Sequence, residues 1–160
     1  MKKYILLLVM MSFWACQTKP ANNNKPKQQT EITFKKQAVL TVSDSLNHPK
    51  AQFDIEIAQD DYHRETGLMY RRTMKDNQAM LFIFDDNKPR YFWMKNTYIP
   101  LDIIYIGTDK TIVSMVKNAK VLDQTALPSN VPAKYVLEIK AGLADRYRLQ
   151  KGDRVSWQKL

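Results

Sequence analysis

AQFDIEIA, residues 51–58, alternates apolar and polar side chains: Phe53, Ile55 and Ile57 fall on one face, Asp54 and Glu56 on the other. A period of two belongs to a β-strand, where successive side chains point to opposite sides of a sheet. Phe53, Ile55 and Ile57 are therefore expected in a core, and Asp54 and Glu56 in solvent. The neighbouring AMLFIF (79–84) is apolar throughout, as in a strand covered on both faces. Further out, RYFWMK (90–95), LDIIYI (101–106), TIVSMVK (111–117), AKYVLEIK (133–140) and RVSWQ (154–158) supply more strands between turn residues. GTDK (107–110) reads as a hairpin turn and DDNKPR (85–90), with Pro89, as a reversal. Helix is scarce. Asp60 or Asp61 can cap a short helix through Thr66 with Gly67 as its stop, and a second runs from about Leu143 to Leu149 between Gly142 and Gly152. Asn118 to Pro132 reads as a long coil, of the kind that forms binding elements or lids. The predicted class is mainly β: an antiparallel sandwich or distorted barrel with one or two short helices.

The amino terminus carries a different signal. Lys2 and Lys3 precede an apolar run from Tyr4 to Trp14, then Ala15 and the single cysteine, Cys16. The run is shorter than the ~20 apolar residues a spanning helix needs, and its layout is that of a secretory leader. FWAC (13–16) points to a lipoprotein signal, residues 1–15, cleaved before Cys16, whose thiol becomes the lipid attachment point; an ordinary signal peptide is the alternative. Residues 16–31 are polar and proline-containing and bury too little to offset chain entropy, so they form a flexible tether. The domain is then 32–160. Gln17 rather than aspartate after the cysteine points to the outer membrane, and the lack of an acidic run after Cys16 to its periplasmic side. Without further cysteines, no disulfide framework or thiolate metal site is available.

A formal net charge of +9 suggests nucleic acid until it is divided along the chain. Residues 17–50 hold six lysines against Glu31 and Asp44, and residues 51–160 hold 17 basic and 14 acidic residues. A nearly balanced domain on a basic tether suits a membrane-proximal arm and argues against nucleic acid as a partner.

Four ordered words carry a family resemblance: RETGLMYR (64–71), AMLFIF (79–84), FWMKNTYIPLDI (92–103) and YVLEIKAG (135–142). The chain resembles the DUF192 family, most strongly over 50–160. The resemblance implies a compact, mainly β domain with one or two short helices, and brings no agreed activity with it. Family members usually carry glycine where this chain has Ala79, so a locally different turn is expected there.

Chemistry is then sought in polar residues planted among apolar ones. Phe92 and Met94 should point one way and Tyr91, Trp93 and Lys95 the other. Asn96 and Thr97 stand where that strand ends, and Asp102 and Glu138 each interrupt an apolar strand, so each is either solvent-facing or buried with a partner. Arg64 arrives from the short helix. Either these side chains form a salt-bridge network that fixes strand register, with Arg64 bridging the acids, or they line a ligand site. The candidate ligand-binding set is Arg64, Met69, Trp93, Met94, Asn96, Thr97, Asp102 and Glu138. Three roles stay open: a binding module for a small molecule or peptide; a hydrolase using Asp102 and Glu138 as paired carboxylates; and an envelope component that docks on another protein. With only His48 and His63 as histidines, no catalytic triad or two-histidine zinc spacing appears, whether the chain is an enzyme stays undecided, and no cofactor or metal is implied. A monomer tied to the membrane through Cys16 is expected.

Overall fold

In the computed structural model, residues 32–160 are described; the expected leader (1–15), tether (16–31) and lipid attachment at Cys16 fall outside them. The elements follow as β1 (Ala38–Ser43), β2 (Pro49–Ala58), α1 (Asp61–Thr66), β3 (Gln78–Phe92), β4 (Leu101–Ile106), β5 (Ile112–Ala119), β6 (Leu127–Lys140), α2 (Leu143–Arg146) and β7 (Arg154–Lys159). The strands form one curled, mixed sheet, a half-barrel, in the order β5-β4-β6-β3-β2-β1-β7. The mainly β class with two short helices thus holds, with one change. β2 and β3 run parallel, Ile55 beside Ala79 and Ile57 beside Leu81, and the other pairs are antiparallel. A parallel pair needs a crossover connection, and α1 with the segment after it supplies one. The curl also brings β5 against the start of β7: the Ile112 N–H donates to the Asp153 carbonyl and the Val155 N–H to the Lys110 carbonyl, each at 2.8 Å.

Alternation divides the core in two. All seven strands send side chains into the inner cluster, among them Leu40, Phe53, Ile55, Leu81, Ile104, Ile112, Leu137 and Val155, and α2 closes onto it with Leu143 and Ala144. The opposite parity of the central strands, Met80, Phe82, Ile103, Tyr105 and Val136, forms a second cluster under Leu68, Met74, Met94 and Ile99 from the connecting segments. β4 is consequently buried along its whole length. Each large side chain so buried contributes about 1.5–3 kcal/mol.

The strand at 51–58 has Phe53, Ile55 and Ile57 in the core as its alternation requires, but Glu56 is 7% exposed rather than solvated. Its face is covered by the crossover, where Arg71 meets it. DDNKPR does not reverse the chain: β3 runs unbroken from Gln78 to Phe92. Beyond Phe82 the strand has no β2 partner, and Pro89 stands opposite Pro132 where the ladder is irregular, a setting in which a strand tolerates proline. The segment bulges instead, five steps from Ile83 to Lys88 facing two from Tyr135 to Ala133, and Arg90 pins the bulge, donating from Nε to the Ala133 carbonyl (2.9 Å), pairing with the Asp86 carboxylate and lying 3.9 Å above the Phe84 ring. The long coil expected at Asn118 to Pro132 shrinks for the same reason, since β6 begins at Leu127 and carries Pro128 and Pro132 on this two-stranded arm. The strand predicted to reach Lys95 stops at Phe92, and α2 ends at Arg146 rather than Leu149. Ala79 makes no unusual turn. It is 1% exposed, in regular register with Ile55 and Ile139.

Candidate functional site

α1 is short and its placement is exact in chemical terms. Asp60 caps it, accepting the His63 N–H at 2.9 Å, and Gly67 ends it at φ 47°. A Cβ at Gly67 would come within 3.0 Å of Phe82 Cζ, so glycine allows the helix end to approach the Phe82 ring. Arg64 ties the other side down. Its Nη1 donates to the carbonyls of Gln59 (2.9 Å) and Ile83 (3.0 Å), and its Nη2 to Asp61 (2.7 Å).

Between this anchored helix end and the β3 arm lies a cavity of about 420 Å³. Phe82, Phe84, Tyr91, Phe92 and Trp93 form one side, and the segment from Arg64 to Met69 the other. Phe82 and Phe92 meet edge-to-face with centroids 5.0 Å apart, which fixes the wall. Trp93 is 48% exposed, so it forms the rim.

Glu138 also lines this cavity. It sits on β6 beside Met80 of β3 and Ile103 of β4, on the outer face of the sheet, and is 5% exposed. Burial pushes its carboxyl up to about 8, with the Arg71 guanidinium pulling weakly the other way. Burial and the Arg71 charge are the only influences on its ionisation, with no hydrogen bond among them, and its oxygens are not sealed in as Glu56 Oε2 and Arg71 Nε are. The Tyr105 hydroxyl, whose own ionisation is pushed up by burial and by Glu138, is turned to the Leu127 carbonyl instead (2.5 Å).

Five of the eight residues singled out by sequence meet here: Arg64, Met69, Trp93, Thr97 and Glu138. The other three do not. Met94 is fully buried in the second core cluster. Asn96, at φ 54°, donates from Nδ2 to the Tyr70 hydroxyl (2.8 Å) and accepts the Tyr70 N–H on its carbonyl (2.8 Å), bracing two loops. Asp102 lies beside Ile139 rather than Glu138 and points to the opposite side of the sheet. There it is fully buried, accepting the Asn118 N–H (2.8 Å) and the Ala144 N–H (2.9 Å), and it caps α2. Two carboxyl groups on opposite faces share no bond to cleave, so the Asp102–Glu138 acid–base pair is not assembled. Nor does Arg64 bridge these acids.

The buried ion pair is one the sequence did not suggest: Arg71 Nη2 lies 2.5 Å from Glu56 Oε2. The contact is electrostatic, since Glu56 Oε2 and Arg71 Nε both lack an aligned hydrogen-bond partner, while Glu56 Oε1 accepts the Lys35 N–H at 2.7 Å. The pair lines a second hollow of about 370 Å³, which shares Thr66 and Gly67 with the first. No group of three or more His, Cys, Asp or Glu gathers into a metal site among the described residues.

Known proteins with this architecture exist. A crystal structure from Sinorhizobium meliloti 1021, described provisionally as a transcription regulator, is 35% identical, covers 79% of this chain and 97% of its own, and superposes with a TM-score of 0.74. A protein of unknown function from Novosphingobium aromaticivorans DSM 12444 is 37% identical over 74% of this chain and 84% of its own, with a TM-score of 0.70. No curated protein matches the chain. The sequence profile of DUF192, described as an uncharacterised ACR, matches residues 42–157. With the profile spanning most of the chain and both structures more than a third identical to it over the aligned residues, the protein belongs to the DUF192 family.

Proposed function

We propose that this protein is a binding module of the cell envelope, held to the outer membrane on its periplasmic side by lipid on Cys16, and that the aromatic cavity beside α1 takes a small ligand with an apolar body. One observation carries the reading: an unpartnered, buried carboxyl at Glu138 opens into a preformed hollow walled by five aromatic rings. A cavity of this size, mostly apolar with one convergent polar group, is how small-molecule sites are built. A structural acid would have been paired, as Asp102 is. The hydrolase reading loses its second carboxyl, and the near balance of charge over 51–160 gives no support to extending the Sinorhizobium protein's description to this chain.

The site is tested on full-length protein carrying Trp14→Phe and Trp157→Phe, which leaves Trp93 as its single tryptophan, with emission and thermal midpoint followed against a panel of small amphipathic envelope compounds. At least one compound is expected to shift Trp93 emission and raise the midpoint. Silence of both signals across the panel would remove the cavity as a ligand site. The anchor is tested separately. Cys16→Ser should move the protein from the membrane fraction to the soluble fraction, and unchanged membrane association would sink the lipid assignment.

A further inference from the structure

Resting on the reading of the cavity as a ligand site, we propose that its ligand is an organic cation, an ammonium or amidinium group on an apolar or flat body, with Glu138 as the counter-charge. Three observations converge on this class. First, no hydrogen bond is among the influences on the Glu138 carboxyl, and an incoming N–H cation brings the donors it lacks. Second, the free charge in the cavity is negative. Asp61 and Arg64 pair with each other and two carbonyls take further Arg64 donors, which leaves Glu65 and, once ionised, Glu138. An anion would therefore meet carboxylates and no free side-chain cation. Third, the wall is made of ring faces that attract cations. The protein already uses Phe84 this way, with Arg90 at 3.9 Å and Arg64 at 5.6 Å from its centroid.

The groups around Glu138 permit the pairing. From the crossover, Arg71 is the nearest cation and is committed to Glu56. On β4, the Tyr105 hydroxyl donates to the Leu127 carbonyl and is not offered to Glu138. On β3, Met80 is the neighbour and does not titrate. An ammonium that displaces the Glu138 proton releases that proton to solvent and keeps its own N–H bonds, so charge and protons balance. Affinity then strengthens with rising pH until Glu138 is ionised in the empty protein, near pH 8.

Three matched probes separate this proposal from the reading beneath it: 2-phenylethylammonium, neutral 2-phenylethanol and anionic 3-phenylpropionate. Each is titrated into the full-length protein carrying Trp14→Phe and Trp157→Phe at pH 6.5 and 8.5, following Trp93 emission. The ammonium is expected to bind at least about tenfold tighter than either analogue, a factor worth about 1.4 kcal/mol, with the gap widening at pH 8.5. Glu138→Gln should abolish the gap while leaving phenylethanol binding in place. Equal binding of all three probes, or an ammonium affinity indifferent to Glu138→Gln, would overturn the cation assignment and leave the cavity standing as a site. If no probe binds and the compound panel is silent as well, both fall.

Discussion

Asp102→Ala is expected to lower the stability of the domain by about 3–5 kcal/mol, a large share of the 5–15 kcal/mol typical of a folded protein. The loss has two parts. Two hydrogen bonds disappear, and the N–H groups of Asn118 and Ala144 that they satisfied stay inside the protein with nothing to bond. Asn118 sits at φ 55° inside β5, where the ladder to β4 is irregular between Val116 and Ala119, so this backbone turn within the strand loses the contact that holds it left-handed. α2 has four residues and no side-chain bond from its own cap residue, Gly142, so it depends on Asp102 from another element. Asp102→Asn should fall between alanine and wild type, because one amide oxygen still accepts while the NH₂ group faces the other N–H. Urea unfolding measures the change as a lower midpoint at constant slope. A loss under about 1 kcal/mol for alanine would show that the carboxyl does not support the turn and the helix as described.

Glu138→Gln should act in the opposite direction, and by an amount that depends on pH. In the unfolded chain the carboxyl releases its proton near its ordinary 4.5, whereas in the fold it holds it to about 8. Between those values the folded state carries one more proton than the unfolded state, so rising pH favours unfolding, at up to about 1.4 kcal/mol per pH unit. This contribution is fully present below pH 4.5 and is lost as pH climbs to about 8, after which it changes no further. Glutamine cannot ionise. The variant should match wild type near pH 4.5 and exceed it at pH 9 by an amount on the order of a few kcal/mol. Urea midpoints at pH 5, 7 and 9 follow the divergence, and parallel curves would count against a neutral Glu138 in the folded state. A residue whose removal strengthens the fold is of the kind found where stability is given up for binding.

Much of the fold was legible because local pattern and tertiary demand agreed. In β2 the alternation of Phe53, Ile55 and Ile57 matched the inner face, and Gly67 after Thr66 marked the helix end. DDNKPR misled: its turn residues make a bulge and not a reversal, and Arg90 ties that bulge to the Ala133 carbonyl, a partner 43 positions away that only the register supplies. Three of the four buried carboxyl groups among the described residues show the limit most clearly. Glu56, Asp102 and Glu138 each follow one apolar residue and precede another, yet one meets Arg71, one caps a helix and one opens into a cavity. Which face of a strand is covered, and by what, is decided by the crossover and the β3 arm. The aromatic wall was half visible. Phe92 and Trp93 alternate in burial as expected, but because β3 ends at Phe92 both reach the same cavity, joined by Phe82 and Phe84.

The pairing of β1 with β7, Ala38 against Lys159 through Ser43 against Arg154, ties the beginning of the domain to its final residues. β1 can zip to its sequence neighbour β2 at once, while its second edge waits for β7, about 110 residues further along the chain. Such long-range closure is slow compared with local hairpins, and an unsatisfied strand edge is a template for the wrong neighbour. One flank of β1 therefore stays open until β7 docks, which makes the arrival of β7, rather than collapse of the first hairpin, the event that completes this sheet.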